Sequence, residues 1–129
     1  MLISAAGPGF NLILAFTSAL VWRLNATLLG GVDAGFLHTL SVFLRWILPA
    51  FMQINVLLAL FNLIPMPPLD GSWILYHLLP RDLAERYREF GARWGFLVVL
   101  ALMYTGVARV FIGFGYQLVQ PLLFAVAGS

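Results

Sequence analysis

The sequence predicts an all-α fold, a polytopic membrane bundle of about three transmembrane helices with one Pro-broken helix and one interfacial helix. Of the 129 residues, 62% are hydrophobic and only 9% are charged, and the mean hydropathy is +0.96. A soluble domain is about a quarter charged, so this chain has too little charge to cover a water-facing surface. Long charge-free runs, sufficient to cross a bilayer, give the same indication.

Composition excludes several classes of function. Cysteine is absent, which excludes a disulfide framework, a thiol nucleophile and a cysteine-based metal site. The net charge is +2, and the seven basic residues are all arginines scattered at the edges of apolar runs. Because they form no basic stripe, we expect no nucleic-acid partner.

The first apolar run predicts one transmembrane helix. Residues 2–22 contain no charged side chain, which is enough to span a bilayer. Pro8 suits the first turn of this helix, where its missing N–H is not needed. Trp22 and Arg23 suit the membrane interface. We expect a loop next, and it also contains His38.

The second run predicts a broken helix. Residues 46–69 are charge-free, and we expect the helix to start near residues 39–45 and to reach about Leu63. One unbroken helix to Leu79 would far exceed the hydrocarbon core. We therefore expect an extended Pro-rich turn after Leu63 and a shorter helix that starts at Asp70.

The polar stretch 81–93 predicts an interfacial helix. Its apolar positions recur with helical spacing. These positions are Leu83, Tyr87, Phe90 and Trp94. The stretch holds four arginines, so the positive-inside rule places it in the cytoplasm. A span over 94–108, a break near Gly113 and Gly115, and a half-buried segment 116–127 complete the predicted architecture.

Asp70 is the main candidate for chemistry. An Asp-Gly pair after two prolines is a turn and helix-start signal, and Asp is a favoured N-cap. At membrane depth, however, serine could cap without a charge, so an aspartate suggests a cation, a proton or a polar cavity. A carboxylate is also a suitable zinc ligand.

Two asparagines could form a polar face beside this aspartate. Asn55 and Asn62 lie seven residues apart, two helical turns, so they share a face. Each has two interpretations, a hydrogen bond between membrane helices or the lining of a water-accessible cleft. Asn62 is the stronger candidate, because the backbone break follows it directly and such backbone must be buried or line a cavity. Asn11, one turn inside the first helix, needs a partner of its own.

The prolines and histidines are less specific. The three prolines Pro65, Pro67 and Pro68 either stop a helix or form an extended segment whose free backbone groups bind a substrate strand. His38 and His77 have no second histidine three or four residues away. We therefore interpret His77 as an interfacial side chain rather than a ligand.

The segment F-N-L-I-P-M-P-P-L-D-G, residues 61–71, resembles the second signature of the site-2 protease family of intramembrane zinc metalloproteases. A-A-G-P-G-F-N, residues 5–11, resembles the start of a core helix of that family. R-W-G-F-L-V-V-L from Arg93 is similar to compact bacterial members. The resemblance implies that Asp70 is the third zinc ligand. It also implies that Asn62 is a catalytic residue, which lines the active site and helps to place the substrate or the oxyanion. It also implies metal-assisted hydrolysis of peptide bonds in membrane-embedded protein substrates.

The sequence departs from that family in one respect, because it contains no H-E-x-x-H motif for the two histidine ligands. That motif precedes the G-P-x-x-N segment in the family, so we expect it upstream of Met1. Residues 1–129 are then the C-terminal portion of a single site-2-protease-like membrane domain that associates with the missing N-terminal half. We expect this chain alone to be inactive.

Two other functions remain open from the sequence. One is a non-catalytic membrane module that binds transmembrane partners. The other is a small ion-coupling transport subunit, in which the broken helix and Asp70 serve a cation.

Overall fold

The computed structural model describes residues 2–128 and their side chains from Ala6 onward. Within this range the fold is entirely helical, which confirms the predicted all-α class. The helices are α1 (Leu2–Leu29), α2 (Gly35–Asn62), α3 (Gly71–Leu78), α4 (Arg81–Tyr104) and α5 (Val107–Ala127). Three of them, α1, α2 and α5, are long and apolar enough to cross a membrane.

The core of the bundle lies where α1, α2 and α5 meet. α1 and α2 are joined by a short turn and pack against each other as an antiparallel pair. The buried side chains of this core are Ala15, Ala19, Val56, Leu60 and Leu123. Small residues on α1 allow the close approach that membrane helices need, because lipid supplies no hydrophobic drive between helices.

A buried polar contact joins α1 to α2 near the turn. The Asn25 Nδ2 donates to the Ser41 carbonyl at 3.2 Å. Asn25 is 4% exposed and Ser41 is 2% exposed. This contact fixes the two helices at the end of the bundle opposite to the Asn62 end of α2.

The broken second helix is confirmed by the structure. α2 ends at Asn62, an irregular loop follows, and α3 begins at Gly71 with Asp70 at its N-cap position. α2 is longer than predicted, because it starts at Gly35 and therefore includes His38. Arg45 thus lies inside α2, with its guanidinium close to Gly30 at the turn, and its charge does not mark a helix boundary.

The start of α1 also differs from the prediction. Because the helix begins at Leu2, Pro8 lies in its interior rather than in its first turn.

In the last third of the chain, the predicted position of the break between helices is wrong. α4 is one helix through the polar stretch 81–93 and most of the predicted span 94–108. It ends at Tyr104, where Gly106 adopts a left-handed φ of 81°. α5 then continues through Gly113 and Gly115 without interruption, so α5 is the third span. Gly115 lies against Leu60 of α2, so this glycine serves helix packing rather than a break.

Candidate functional site

The Pro-rich loop, residues 63–70, is closed by its own hydrogen bonds. Between Pro65 and Leu69 only Met66 and Leu69 have backbone N–H groups. Met66 N–H donates to the Ile64 carbonyl at 2.8 Å, and Leu69 N–H donates to the Met66 carbonyl at 2.9 Å. The Pro67–Pro68 peptide bond is cis. Residues 65–69 are therefore a series of turns in which both N–H groups have partners, so the hypothesis of an extended segment is wrong.

α4 holds this loop from one side. The Tyr87 hydroxyl donates to the Pro65 carbonyl at 2.9 Å. Gly91 and Gly95 lie so close to Pro67 that neither position has room for a Cβ atom. Burial raises the pKa of Tyr87, although the Ser72 hydroxyl lowers it in part. The phenol therefore stays protonated and can donate throughout the physiological range.

α3 holds the loop from the other side. Gly71 packs against the backbone of Leu63 and Ile64, which leaves no space for a side chain. The Ser72 hydroxyl donates to the Leu69 carbonyl at 2.7 Å. These contacts fix the backbone on both sides of Asp70, so the direction of its side chain is determined by the fold.

The Asp70 carboxylate does not act as a helix cap. Asp70 has helical dihedral angles, φ −62° and ψ −31°, and its side chain makes no capping hydrogen bond. Among residues 6–128, no basic side chain lies within 4 Å of this carboxylate. The N-cap interpretation is therefore wrong for the side chain, which leaves both carboxylate oxygens without a hydrogen-bond donor or cation from the described residues.

α1 contributes the surface on which Asp70 rests. A Cβ atom at Gly7 would lie 2.5 Å from the Asp70 Oδ2, so only glycine permits this approach. Asn11 follows Gly7 by four residues and therefore lies on the same face of α1. The fold thus brings the two sequence segments 5–11 and 61–71 together around Asp70.

The two asparagines of α2 have different surroundings. The Asn55 Nδ2 donates to the Phe51 carbonyl of its own helix at 2.8 Å, and Asn55 is 4% exposed. Asn55 therefore neither lines a cleft nor bonds to a second helix. Asn62 is the last residue of α2 and is half-buried. No hydrogen bond of its side chain occurs among the described residues, so its amide is available beside the loop.

The residues described do not form a complete zinc site. No three histidine, cysteine, aspartate or glutamate side chains come together within the part of the chain that the structure describes. His77 Nδ1 contacts the Trp73 carbonyl of its own helix at 2.7 Å. His38 lies near the turn between α1 and α2, at the opposite end of the bundle. Asp70 alone cannot fill the four ligand positions of zinc, so these residues provide at most one ligand.

One functional role escaped the sequence reasoning, which treated Tyr87 only as part of an apolar face. Tyr87, Gly91 and Gly95 follow each other at intervals of four residues, so they form one stripe along α4. Small residues at this spacing are typical of close packing in membrane proteins. The same stripe borders a crevice of about 290 Å³ between the loop, α3 and α4, which Asp70 does not line.

These features define a helical integral membrane protein with a half-buried, unpaired carboxylate at a break between helices. Comparison with known proteins gives the family. The model of peptidase family M50 matches residues 1–102, so the chain belongs to this family and the resemblance to site-2 proteases is confirmed. The match covers α1 to α3 and nearly all of α4, and it leaves out α5.

Two bacterial relatives show the extent of the similarity. The chain is 35% identical over 105 residues to the "Putative zinc metalloprotease YwhC" of Bacillus subtilis, which is 81% of this chain and 46% of the relative. It is 33% identical over 92 residues to the "Putative zinc metalloprotease BH06270" of Bartonella henselae, which is 68% of this chain and 22% of the relative. The chain thus spans less than half the length of either relative. No solved structure matches it.

Proposed function

We propose that this chain is the C-terminal portion of an intramembrane zinc metalloprotease that hydrolyses peptide bonds of membrane-embedded proteins. In this proposal Asp70 supplies one zinc ligand and Asn62 lines the active site. The two histidine ligands come from a segment with H-E-x-x-H that the chain itself does not contain. The family membership supports a protease-type role, and the environment of Asp70 supports the finer assignment.

The observation that carries the proposal is an unpaired carboxylate in a rigid setting. Asp70 has neither a capping hydrogen bond nor a basic neighbour among residues 6–128. An acid in such a position at the end of membrane helices is costly unless it serves a cation or a proton. The Pro-rich loop is fixed by Tyr87 and by close backbone packing, so the backbone that carries Asp70 is held in place before any ligand binds.

A zinc measurement with and without the missing motif tests this proposal. The chain alone should bind no zinc tightly and cleave no peptide. Fused behind an H-E-x-x-H segment from a member of peptidase family M50, it should contain about one zinc per chain and cleave a transmembrane substrate. Asp70→Ala should then abolish zinc content and cleavage together, because zinc would lose one of its protein ligands.

Asp33→Ala provides the matched control, because Asp33 is an exposed aspartate in the turn between α1 and α2. It should change neither zinc content nor cleavage. Full zinc content and cleavage in the Asp70→Ala fusion would contradict the proposal. So would proteolysis by the unfused chain.

A non-catalytic membrane module is the second candidate. It is favoured by one observation, that residues 6–128 contain no group of three histidine, aspartate or glutamate side chains that could hold a metal ion. In that case the fusion would bind no zinc, yet the chain would still bind transmembrane partners. A change in ion flux on Asp70→Ala, with the chain alone in vesicles, would instead indicate an ion-coupling subunit.

A further inference from the structure

Three glutamines lie at hydrocarbon depth in α2 and α5. Gln117 is the central residue of α5, and Gln53 and Gln120 lie within about 7 Å of the midpoints of their helices at 1.5 Å per residue. The hydrocarbon core extends roughly 15 Å on each side of the bilayer centre. None of the three amides makes a hydrogen bond within the described part of the chain.

Two of these amides face one crevice. Gln53 and Gln120 line a crevice of about 330 Å³ between α2 and α5, together with Tyr116 and with Trp22 of α1. The crevice arises because α5 touches α2 near Gly115 but leans toward Arg23 of α1 at its C-terminal end. The two helices therefore diverge and leave a wedge between them.

The chemistry of the wedge restricts what can fill it. Each primary amide offers two donors and one acceptor, and an amide without partners in an apolar medium is unfavourable by several kcal/mol. Lipid acyl chains have no hydrogen-bonding groups. Lipid headgroups lie at the interface, too far from the helix midpoints to reach Gln53 or Gln120. The occupant must therefore bring its own polar group into the hydrocarbon core.

We propose that the wedge lined by Gln53 and Gln120, here called the amide crevice, is a docking surface for a membrane-spanning helix of a partner protein that presents an amide or hydroxyl side chain at mid-depth. Apolar walls formed by Met52 and Leu123 pack against the partner helix. The two amides select its depth and rotation, because polar side chains specify pairing between membrane helices.

This surface is separate from the Asp70 site. On α1, Gly7 lies beside Asp70 and Trp22 lines the crevice. Trp22 follows Gly7 by fifteen residues, which corresponds to about 22 Å along the helix. The crevice wall formed by Tyr116, Gln120 and Leu123 also lies outside residues 1–102, the part that matches the family. The α5 wall of the amide crevice therefore lies beyond the family match, whereas Trp22, Met52 and Gln53 lie within it.

Energy transfer between labelled helices tests the proposal. The chain has no cysteine, so Asp33→Cys provides a single labelling site in the turn between α1 and α2. The whole chain is placed in phosphatidylcholine vesicles with a labelled polyleucine helix of about 20 residues. One peptide carries a central glutamine and its control carries leucine there. The glutamine peptide should bind about five- to tenfold more tightly.

Variants of the chain locate the effect. The double variant Gln53→Leu, Gln120→Leu should lose the preference for the glutamine peptide. The matched control Gln117→Leu removes an amide of the same helix outside the crevice and should keep the preference. The double variant Gln53→Asn, Gln120→Asn retains amide groups and should keep at least part of it, which separates a lost contact from a lost fold.

Three results would overturn the proposal. The first is equal binding of the glutamine and leucine peptides. The second is a preference that survives in the double leucine variant or disappears equally with Gln117→Leu. The third is energy transfer between two copies of the chain that depends on Gln53 and Gln120 and excludes the peptide, because the occupant would then be a second copy.

Discussion

The Pro-rich loop and the amide crevice differ in whether their polar groups have hydrogen-bond partners within the chain. In the loop, the Met66 and Leu69 N–H groups bond within turns, and Tyr87 and Ser72 donate to backbone carbonyls. The Asp70 carboxylate is the exception there. In the crevice, Gln53 and Gln120 have no partner among the described residues. Since lipid supplies no hydrogen bonds, polar groups left open in a membrane protein require a partner, and we propose a cation at Asp70 and a helix at the crevice.

The largest expected change in stability comes from adding a methyl group in the tightly packed loop, compared with the same change on the open surface of α5. A Cβ atom at Gly71 would collide with the Leu63 carbonyl and lie 2.6 Å from the Ile64 oxygen. Because backbone cannot yield as a side chain does, Gly71→Ala should lower the free energy of unfolding by about 3 kcal/mol. Denaturant titration in detergent micelles measures this change.

Gly113→Ala is the control in a helix interior, where a Cβ atom meets nothing within 4 Å. It should raise stability by about 0.5–1 kcal/mol through helix propensity. Equal effects of the two substitutions would show that the loop is not held more tightly than α5.

The next effect tests the contact between α1 and Asp70. Gly7→Ala places a methyl group 2.5 Å from the Asp70 Oδ2, and such overpacking should lower the free energy of unfolding by about 1–3 kcal/mol. Gly9→Ala has open space around its Cβ position and should not destabilise the protein. In an Asp70→Ala background most of the Gly7→Ala penalty should disappear, a coupling of about 1 kcal/mol or more. Additive effects would rule out the contact.

The smallest effect concerns the hydrogen bond from α4 to the loop. Tyr87→Phe removes the donor to the Pro65 carbonyl and should lower stability by about 0.5–1 kcal/mol, since Tyr87 is half-buried. Tyr76→Phe is the control, because its hydroxyl bonds to the exposed side chain of Glu85 rather than to the loop, and it should cause no measurable change.

The same bond predicts a pH dependence. Burial raises the pKa of Tyr87 above its ordinary value of 10.0. A group whose pKa is higher in the folded state contributes stability that is present below the unfolded pKa and is lost as pH rises through the folded pKa. The stability difference between the wild type and Tyr87→Phe should therefore shrink above pH 10. A difference that grows there would contradict this assignment.

The sequence predicted the parts of the fold that depend on local rules. The prolines after Ile64 indicated the end of α2 and the short α3, because proline lacks an N–H and restricts the preceding residue. The break at Gly106 was missed in favour of Gly113 and Gly115, since a glycine can serve a turn or a close helix contact. Only the packing against Leu60 distinguishes these roles.

The candidate site was predicted in its residues but not in its contacts. The motif drew attention to Asp70 and Asn62, and the resemblance included the segment with Gly7. Gly7 and Asp70 lie 63 residues apart in the sequence. A helical or strand periodicity relates only residues a few positions apart, so it could not predict this contact. Asn55 was placed on the Asn62 face, yet its amide bonds to its own helix. The cytoplasmic position of 81–93 stays a prediction.

The buried Asn25 has a consequence for mapping which way the chain crosses the membrane. Asn25-Ala26-Thr27 fits the acceptor triplet for N-linked glycosylation. Its amide nitrogen, however, is bonded to the Ser41 carbonyl and shielded by two helices, so a glycosylating enzyme cannot reach it in the folded chain. Absence of sugar at Asn25 would therefore say nothing about orientation. An acceptor triplet introduced into the exposed turn at Gly31 would report the side of the membrane directly.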